Sequence, residues 1–322
     1  MVRDWIFSYK LWGLGCLVAL LLVAAACGDD PTPTPTPLPT KTPAPTSTVV
    51  PTSTPEPQDA GFLMAPESNA KHGGILKWGG IANSTLYDIH QTGSIANMGP
   101  QAPMFDLLVQ VNPVTWDAII PDLATAWTVS DDSRVYTFDI RQGVKFHDGA
   151  DLTAADVVAS FNHIIFPPEG VLSPRKNLFA TVTEVVATDN STVEFRLSEP
   201  RGFILRAIAG GFNIIVREQT LVDNEFNLAR VETYPGTGPF IHESLEPGVV
   251  RKLGKNTKYW NPDLPYLDGI EAYHFNLGAP TGAACLANQV DFCFGIDPVT
   301  VEKAAGMSDL ETSPIFPTVP LG

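Results

Sequence analysis

The sequence predicts a mixed α/β fold of the α+β kind, and three stretches carry this prediction. Residues 135–140 alternate apolar and polar side chains, which is typical of a half-buried strand. Residues 153–166 predict a helix, because Thr153 and Asp156 stand at capping-box spacing before an apolar-periodic run that a Pro-Pro pair ends. Residues 182–197 predict a hairpin, because two alternating runs flank an Asp-Asn-Ser turn.

Shorter patterns complete the expected element order. We expect strands at 73–78, 212–216, 270–275 and 290–294, short helices at 103–111, 203–209 and 283–288, and a tight loop at 236–240. Short helices and strands alternate without an internal repeat, which favours a mixed layered domain.

The N-terminal residues 1–26 have the features of a secretory signal. A basic start is followed by an apolar run that is shorter than the about 20 residues needed to span a bilayer comfortably. Three alanines then precede Cys27, and this end resembles a bacterial lipobox. The resemblance implies cleavage before Cys27 and lipid attachment to its sulfur. An ordinary signal peptide with a chance cysteine, or an uncleaved anchor, is the alternative.

Residues 27–72 are dominated by Pro and Thr and cannot bury a core. Such chains favour extended polyproline II structure of about 3.1 Å per residue. We therefore expect a tether that holds the folded domain, residues 73–322, away from a membrane.

The net charge and the cysteines limit which partners and which cross-links the protein can have. A formal net charge of −15 argues against nucleic acid and anionic lipid surfaces as partners. Cys285 and Cys293 remain in the folded domain, and outside the cytoplasm they can form a disulfide. Whether their Cα atoms lie close enough is not visible in a sequence, so two buried thiols are the alternative.

We expect no cofactor, no metal ion and no catalytic centre. His147 and Asp148 could begin a metal site, but a turn at Asp148-Gly149 is the stronger interpretation, and no histidines stand at metal-ligand spacing. The sequence has neither a G-x-S-x-G elbow nor a Walker A loop. The loop at 236–240 is interpreted as a rigid turn.

Several long segments resemble the family 5 extracellular solute-binding proteins, the receptors of peptide, nickel and opine ABC importers. The segments are PDLATAW at 121–127, YTFDIRQGVKFHDG at 136–149, LTAADVVASF at 152–161, GTGPF at 236–240, NTKYW at 256–260 and PYLDGI at 265–270. The resemblance covers residues 73–310 almost throughout.

The resemblance implies a periplasmic-binding-protein-like fold of type II, with two lobes that close on a ligand. On this analogy residues 73–105 and 206–322 form the ligand-facing subdomain of the first lobe, and residues 106–205 form the outer subdomain. Family members are longer, with a second lobe beyond the point where this chain stops. We therefore expect a C-terminally truncated chain whose second lobe is missing.

A ligand is expected to meet the loop after the first strand. This loop offers hydrogen-bonding groups and one aromatic face, from Asn83, Ser84, Thr85, Tyr87 and Asp88. A solvated surface loop is the alternative interpretation of each of these residues.

The expected function is that of the substrate-binding component of an ABC importer. Such a protein captures a peptide or a similar small polar solute at the extracytoplasmic face of the bacterial cytoplasmic membrane and delivers it to permease subunits. The same scaffold can also serve as an extracellular sensor or assembly partner, since a fold does not fix a function.

Overall fold

The computed structural model describes residues 69–80, 86–113, 115–308 and 310. The strands are β1 (Ile75–Gly79), β2 (Val109–Val111), β3 (Ile119–Pro121), β4 (Ala124–Val129), β5 (Val135–Ile140), β6 (Val182–Asp189), β7 (Thr192–Leu197), β8 (Phe240–Glu246), β9 (Val250–Lys255), β10 (Gly269–Tyr273) and β11 (Phe292–Cys293). The α-helices are α1 (Ile95–Met98), α2 (Ala154–Ile165), α3 (Ile204–Ile208), α4 (Glu218–Asp223), α5 (Ala279–Leu286) and α6 (Pro298–Ala304), and 3₁₀ turns span Ile89–Gln91, Ala102–Met104 and Lys176–Phe179.

The larger strands form two sheets. One has the order β11-β1-β10-β9-β8, with β1 parallel to both of its neighbours and the β10-β9-β8 part antiparallel. The other has the order β4-β5-β7-β6 and is antiparallel throughout. A two-stranded β2-β3 ribbon accompanies them. This architecture confirms the predicted mixed α/β class.

The four-stranded sheet buries one face against α2, as the alternating sequence of β5 and β7 predicts. Phe138 and Phe195 of the sheet are fully buried, as is Phe161 of the helix. The Phe195 ring meets Phe161 edge to face at 4.8 Å and Phe138 at 5.5 Å between centroids. Such ring pairs add about 0.5–1.5 kcal/mol beyond the burial of their apolar area. This aromatic cluster is the centre of the first core.

The start of α2 has the predicted capping box, and its acidic residue also fixes a second helix. The Asp156 carboxylate accepts from the backbone N–H of Thr153 at 2.8 Å. Its other oxygen accepts from the backbone N–H of Glu218, at the start of α4, at 2.8 Å. Asp156 is buried, so these bonds are shielded from water. One carboxylate thus positions two helix starts.

The five-stranded sheet brings distant parts of the chain together. In the parallel pair, Ile75 to Gly79 of β1 lie opposite Gly269 to Tyr273 of β10. Its inner face contributes Phe240, Leu253 and Ile270 to a second core that is separate from the aromatic cluster. The chain between β1 and β8 builds the other sheet before it returns.

The strands of each sheet lie within one of the two sequence segments expected for the subdomains. Those of the four-stranded sheet fall between residues 124 and 197, and those of the five-stranded sheet at 75–79 and 240–293. The first core nevertheless continues through Ile208 to Ile215. The boundary at residue 205 between the two subdomains stays a prediction.

The helix expected at 103–111 is wrong. A 3₁₀ turn ends at Met104, Leu107 forms a bridge with Ile214, and β2 follows. The Leu108 carbonyl accepts from the N–H of Ala124 at 2.7 Å, so the backbone of this segment pairs with another segment instead of forming a helix. The three apolar residues that suggested a helix are too few to resist this pairing.

Other boundaries also differ. Residues 212–216, expected as a strand, make only the single bridge at Ile214. The helix expected at 283–288 begins four residues earlier, where Pro280 occupies the first turn that proline tolerates. Local sequence patterns did not predict β3, β4, β8, β9, α1, α4 or α6.

The loop at 236–240 lies directly against the turn that ends at Met104. A Cβ atom built on Gly236 would stand 1.9 Å from the Met104 carbonyl oxygen, and one on Gly238 would stand 2.4 Å from the Phe105 nitrogen. The Gly238 N–H donates to Met104 O at 3.0 Å. Only glycine permits this approach of two backbones.

Replacing Gly236 by alanine is expected to lower the free energy of unfolding by about 1–3 kcal/mol or more, because the new methyl group overlaps backbone that cannot move freely. Urea unfolding measures the loss. Gly211→Ala is the matched control, since a Cβ there meets nothing within 4 Å. Equal stability of the two variants would contradict the close approach.

Asp156→Asn is expected to lower the free energy of unfolding by about 1.5–3 kcal/mol, because the amide cannot accept at both oxygen positions. This is the usual contribution of a hydrogen bond to a charged group. Asp139→Asn, at an exposed position of β5, is the control. Urea unfolding of both variants tests this, and a loss no larger than that of the control would argue against the double role of Asp156.

Candidate functional site

β1 leads into the loop that carries the predicted ligand residues. Gly80 directly follows the strand with φ +106, and a Cβ there would stand 2.1 Å from the Phe294 carbonyl oxygen. The chain can therefore leave β1 in this direction only with glycine. Asn83, Ser84 and Thr85 lie outside the described residues.

Tyr87 lies half-buried at the far end of this loop. Its backbone N–H donates to Ala229 O at 3.1 Å, and its carbonyl accepts from the Tyr234 hydroxyl at 3.0 Å. The guanidinium of Arg251 lies 5.8 Å from the ring centroid. The ring thus rests on a cation and keeps part of its surface in solvent.

Asp88 faces the protein interior, with only 1% of its surface exposed. One carboxylate oxygen accepts from the backbone N–H of His90 at 2.9 Å, which caps the 3₁₀ turn. The other accepts from Gln91 Nε2 at 2.9 Å and from the N–H of Leu228 at 3.3 Å. Its hydrogen-bonding capacity is committed to the protein itself.

Arg251 is a buried cation next to the loop. It donates to His242 Nδ1 at 3.2 Å and to the Glu232 carbonyl at 3.1 Å. Burial lowers the pKa of Arg251, which the nearby tyrosines Tyr87 and Tyr234 partly offset. The guanidinium places positive potential beneath Tyr87.

The structure joins Cys285 and Cys293 in a disulfide, with Cα atoms 6.3 Å apart. This separation lies within the usual range of disulfides. Cys293 stands opposite Gly79 in the parallel β1-β11 pair, so the bond ties α5 to the sheet edge beside β1. Cys27, the predicted lipid-attachment residue, lies outside the described residues.

His147 and Asp148 are engaged with neighbouring chain segments. The ring of His147 donates from Nε2 to Gly238 O at 3.0 Å and accepts at Nδ1 from the Gly236 N–H at 3.4 Å. Asp148 pairs with Arg217 at 2.7 Å. Burial lowers the pKa of His147, consistent with a neutral ring. Both residues border a cavity of 360 Å³ that Lys145 and Lys258 also line.

One cluster was missed by the sequence analysis. Asp88, His90 and His163 are all buried and lie together. The two histidines are 73 residues apart in the chain, so no short spacing signals their contact. Only the pairing of the loop end with α2 brings them together.

Within the described residues, no helix combines the length and the apolar character that crossing a membrane requires. Residues 118–318 match the family described as "Bacterial extracellular solute-binding proteins, family 5 Middle", which is more than half of the chain.

The similar proteins include binders of different small solutes. The glutathione-binding protein GsiB of Salmonella typhi is 32% identical over 184 residues, which are 57% of this chain and 34% of GsiB. The periplasmic binding protein DppA from Helicobacter pylori, solved with the peptide STSA, is 25% identical with a TM-score of 0.67 over 74% of this chain and 50% of DppA. AgaA from A. tumefaciens R10, solved with agropinic acid, is 28% identical with a TM-score of 0.63 over 72% of this chain and 45% of AgaA.

The chain thus matches about a third of the curated relative's length and about half of each solved structure. The fold is that of type II periplasmic binding proteins, as the sequence resemblance implied. On the match over residues 118–318, this chain belongs to the bacterial extracellular solute-binding proteins of family 5.

Proposed function

We propose that this protein is the substrate-binding component of an ABC importer and that it captures a peptide or a similar small polar solute for delivery to a permease. The observation that carries the proposal is the family match over residues 118–318. The similarity to a protein solved with a bound peptide supports it. Glutathione, the ligand named for GsiB, is itself a small peptide.

The proposed ligand contacts lie on the loop after β1. The residues that border this loop are held in the structure: the Gly79 carbonyl accepts from the Phe294 N–H at 3.0 Å, and Asp88 accepts from three N–H groups. A loop with fixed ends loses less conformational freedom on binding than a free one. Asn83, Ser84, Thr85 and Tyr87 therefore remain the proposed contacts, and Asp88 supports them from the interior.

A binding role agrees better with the described polar groups than a catalytic one. His147 is hydrogen-bonded to the backbone of the loop at 236–240, and Asp148 forms an ion pair with Arg217. Asp88 is likewise satisfied by backbone and by Gln91. A catalytic base needs a free lone pair within reach of a substrate. Both ring nitrogens of His147 are already engaged with loop backbone, so this ring offers none.

The proposed location is the extracytoplasmic face of the bacterial cytoplasmic membrane. Cys27 would carry the lipid, and the Pro/Thr-rich residues 28–72 would space the domain from the bilayer. A single acyl chain binds membranes only marginally, so stable anchoring requires the two chains that diacylation supplies.

Titration of the complete gene product with glutathione, short peptides and opines is expected to show saturable binding of at least one compound by isothermal calorimetry. The Asn83→Ala/Ser84→Ala/Thr85→Ala variant is expected to bind that compound at least about tenfold more weakly, because each lost hydrogen bond contributes about 0.5–1.5 kcal/mol. Thr183→Ala, in the distant β6, is the control.

Unchanged affinity of the triple variant would remove the loop from the ligand site. No binding of any compound would contradict the proposed solute class. Tight binding without uptake of the compound by cells that express the protein would instead favour a sensor.

Cys27→Ser is expected to release the protein from membranes, because the serine cannot form the thioether that carries the lipid. Cell fractionation and the mass of the purified N-terminus measure this. A Cys285→Ser/Cys293→Ser variant keeps Cys27 and is the control that should remain with membranes. Membrane association of Cys27→Ser equal to the wild type would contradict lipid attachment at this residue.

A further inference from the structure

Two buried histidines face each other between the loop end and the outer layer. His90 lies in the 3₁₀ turn after the loop, and His163 lies on α2. Their exposed fractions are 1% and 2%. The two Nδ1 atoms are 3.0 Å apart, which is a hydrogen-bond distance.

The outer nitrogens of both rings determine how many protons the pair holds. His90 Nε2 lies 2.8 Å from the carbonyl oxygen of Ile214, and His163 Nε2 lies 2.8 Å from that of Phe226. A carbonyl oxygen only accepts, so both Nε2 atoms must carry a hydrogen. The Nδ1 atoms attract each other only if one of them also carries a hydrogen. Three protons on four nitrogens give the pair one positive charge.

The surroundings indicate which ring is charged. An Asp88 carboxylate oxygen lies 4.0 Å from His163 Nε2 and supplies a buried negative charge. Burial lowers the pKa of His90 and Asp88 partly offsets this, whereas the charge of His163 also lowers it, so that the pKa of His90 is about 4. Because Asp88 lies beside His163 Nε2 and burial disfavours a second proton on His90, the geometry assigns the third proton to the hydrogen bond that runs from His163 Nδ1 to His90 Nδ1.

Among the described residues, Arg175 is the other charged group that acts on His90, and Tyr234 is a titratable group near the counter-ion Asp88. Arg175 donates to the carbonyls of Ile89 at 3.1 Å and His90 at 2.7 Å, which fixes the 3₁₀ turn. Its charge disfavours a second proton on His90. Tyr234 donates to the Tyr87 carbonyl, and burial raises its pKa well above the usual value, so it stays neutral.

The geometry fits a shared proton better than a metal ion. Zinc lies about 2.0–2.1 Å from imidazole nitrogens, so nitrogens 3.0 Å apart could bind it only well to the side of the line that joins them. The ring centroids are 5.2 Å apart, which means that the rings extend away from each other along that line. The oxygens of Asp88 are already occupied by N–H donors.

We propose that His90 and His163 form a singly charged, proton-sharing pair which, with Asp88 as counter-ion, clamps the end of the loop to helix α2. The proposal does not depend on the ligand or on import. In this clamp, the 3₁₀ turn that carries His90 is joined to helix α2 by a charged hydrogen bond between two histidine rings. Its stability must therefore follow pH.

The direction of the pH dependence follows from His90. A free histidine has a pKa of about 6.5, whereas His90 in the folded protein stays neutral down to about pH 4. Between these values the unfolded chain binds a proton that the folded protein refuses. The contribution of His90 to stability is thus present above about pH 6.5 and is lost as pH falls toward 4, by up to about tenfold in the unfolding constant per pH unit.

Long-range proton–nitrogen NMR of the full-length chain, labelled with ¹⁵N in histidine, tests the pair directly. At about pH 7.5, where free histidine is mostly neutral, His163 is expected to show two protonated ring nitrogens and His90 only a protonated Nε2. Signals are assigned by their absence from His90→Gln and His163→Gln. Two neutral rings at this pH, or a stoichiometric metal in elemental analysis, would overturn the proposal.

Urea unfolding at successive pH values gives a second measurement. His90→Gln is expected to flatten the acid dependence of the unfolding constant by up to about tenfold per pH unit, since it removes the group that titrates only on unfolding. His72→Gln, at an exposed position, should leave the profile of the wild type unchanged. A wild-type slope in His90→Gln would also overturn the proposal. If this variant does not fold, the wild-type NMR spectrum still decides.

Discussion

Buried backbone outside the sheets must find hydrogen-bond partners inside the protein, and much of this domain depends on that constraint. The segments at 86–92, 104–108, 212–216 and 236–239, called the crossing segments here, belong to neither sheet. Side chains from fixed elements satisfy them. Ser160 of α2 both donates to the Val216 carbonyl at 3.1 Å and accepts from its N–H at 2.8 Å. Each crossing segment is thus held by a polar residue of a neighbouring element.

The same constraint explains why charged groups lie so deep. Arg175 takes the place of a strand partner by donating to three carbonyls of one segment, those of Ile89, His90 and Thr92. Asp106 accepts from the Tyr259 hydroxyl at 2.9 Å and from Trp260 Nε1 at 3.0 Å, although burial raises its pKa. Breaking one member of such a buried group leaves the other without a partner, which costs more than the bond itself contributed.

The elements that could be predicted from the sequence are those whose apolar residues recur at regular spacing. The strands at 135–140 and 182–197 and the capped α2 follow from alternation and from the spacing of Thr153 and Asp156. The crossing segments carry no such period, so local sequence wrongly predicts a helix at 103–111. Their conformation depends on partners far along the chain, such as Ile214 for Leu107 and Ser160 for Val216.

The same distinction between local patterns and long-range contacts applies to the candidate site. The position of the loop after β1, and of Cys285 and Cys293 beside the sheet edge, could be inferred from local sequence and from the family resemblance. The burial of Asp88 could not be inferred, because an aspartate is common both in exposed loops and at the start of a buried 3₁₀ turn. A His-His contact across 73 residues leaves no local pattern at all.

The two ends of the loop are held by different chemistry, and this has a consequence for any ligand that meets it. At Gly80 the constraint is steric and independent of conditions. At Asp88 and His90 it is electrostatic and depends on the protonation of a buried pair. Pre-organisation at the first end is permanent, whereas pre-organisation at the second weakens as the medium becomes acidic. If both proposals hold, a ligand that uses the loop should bind with an affinity that depends on pH, even when the ligand itself does not titrate.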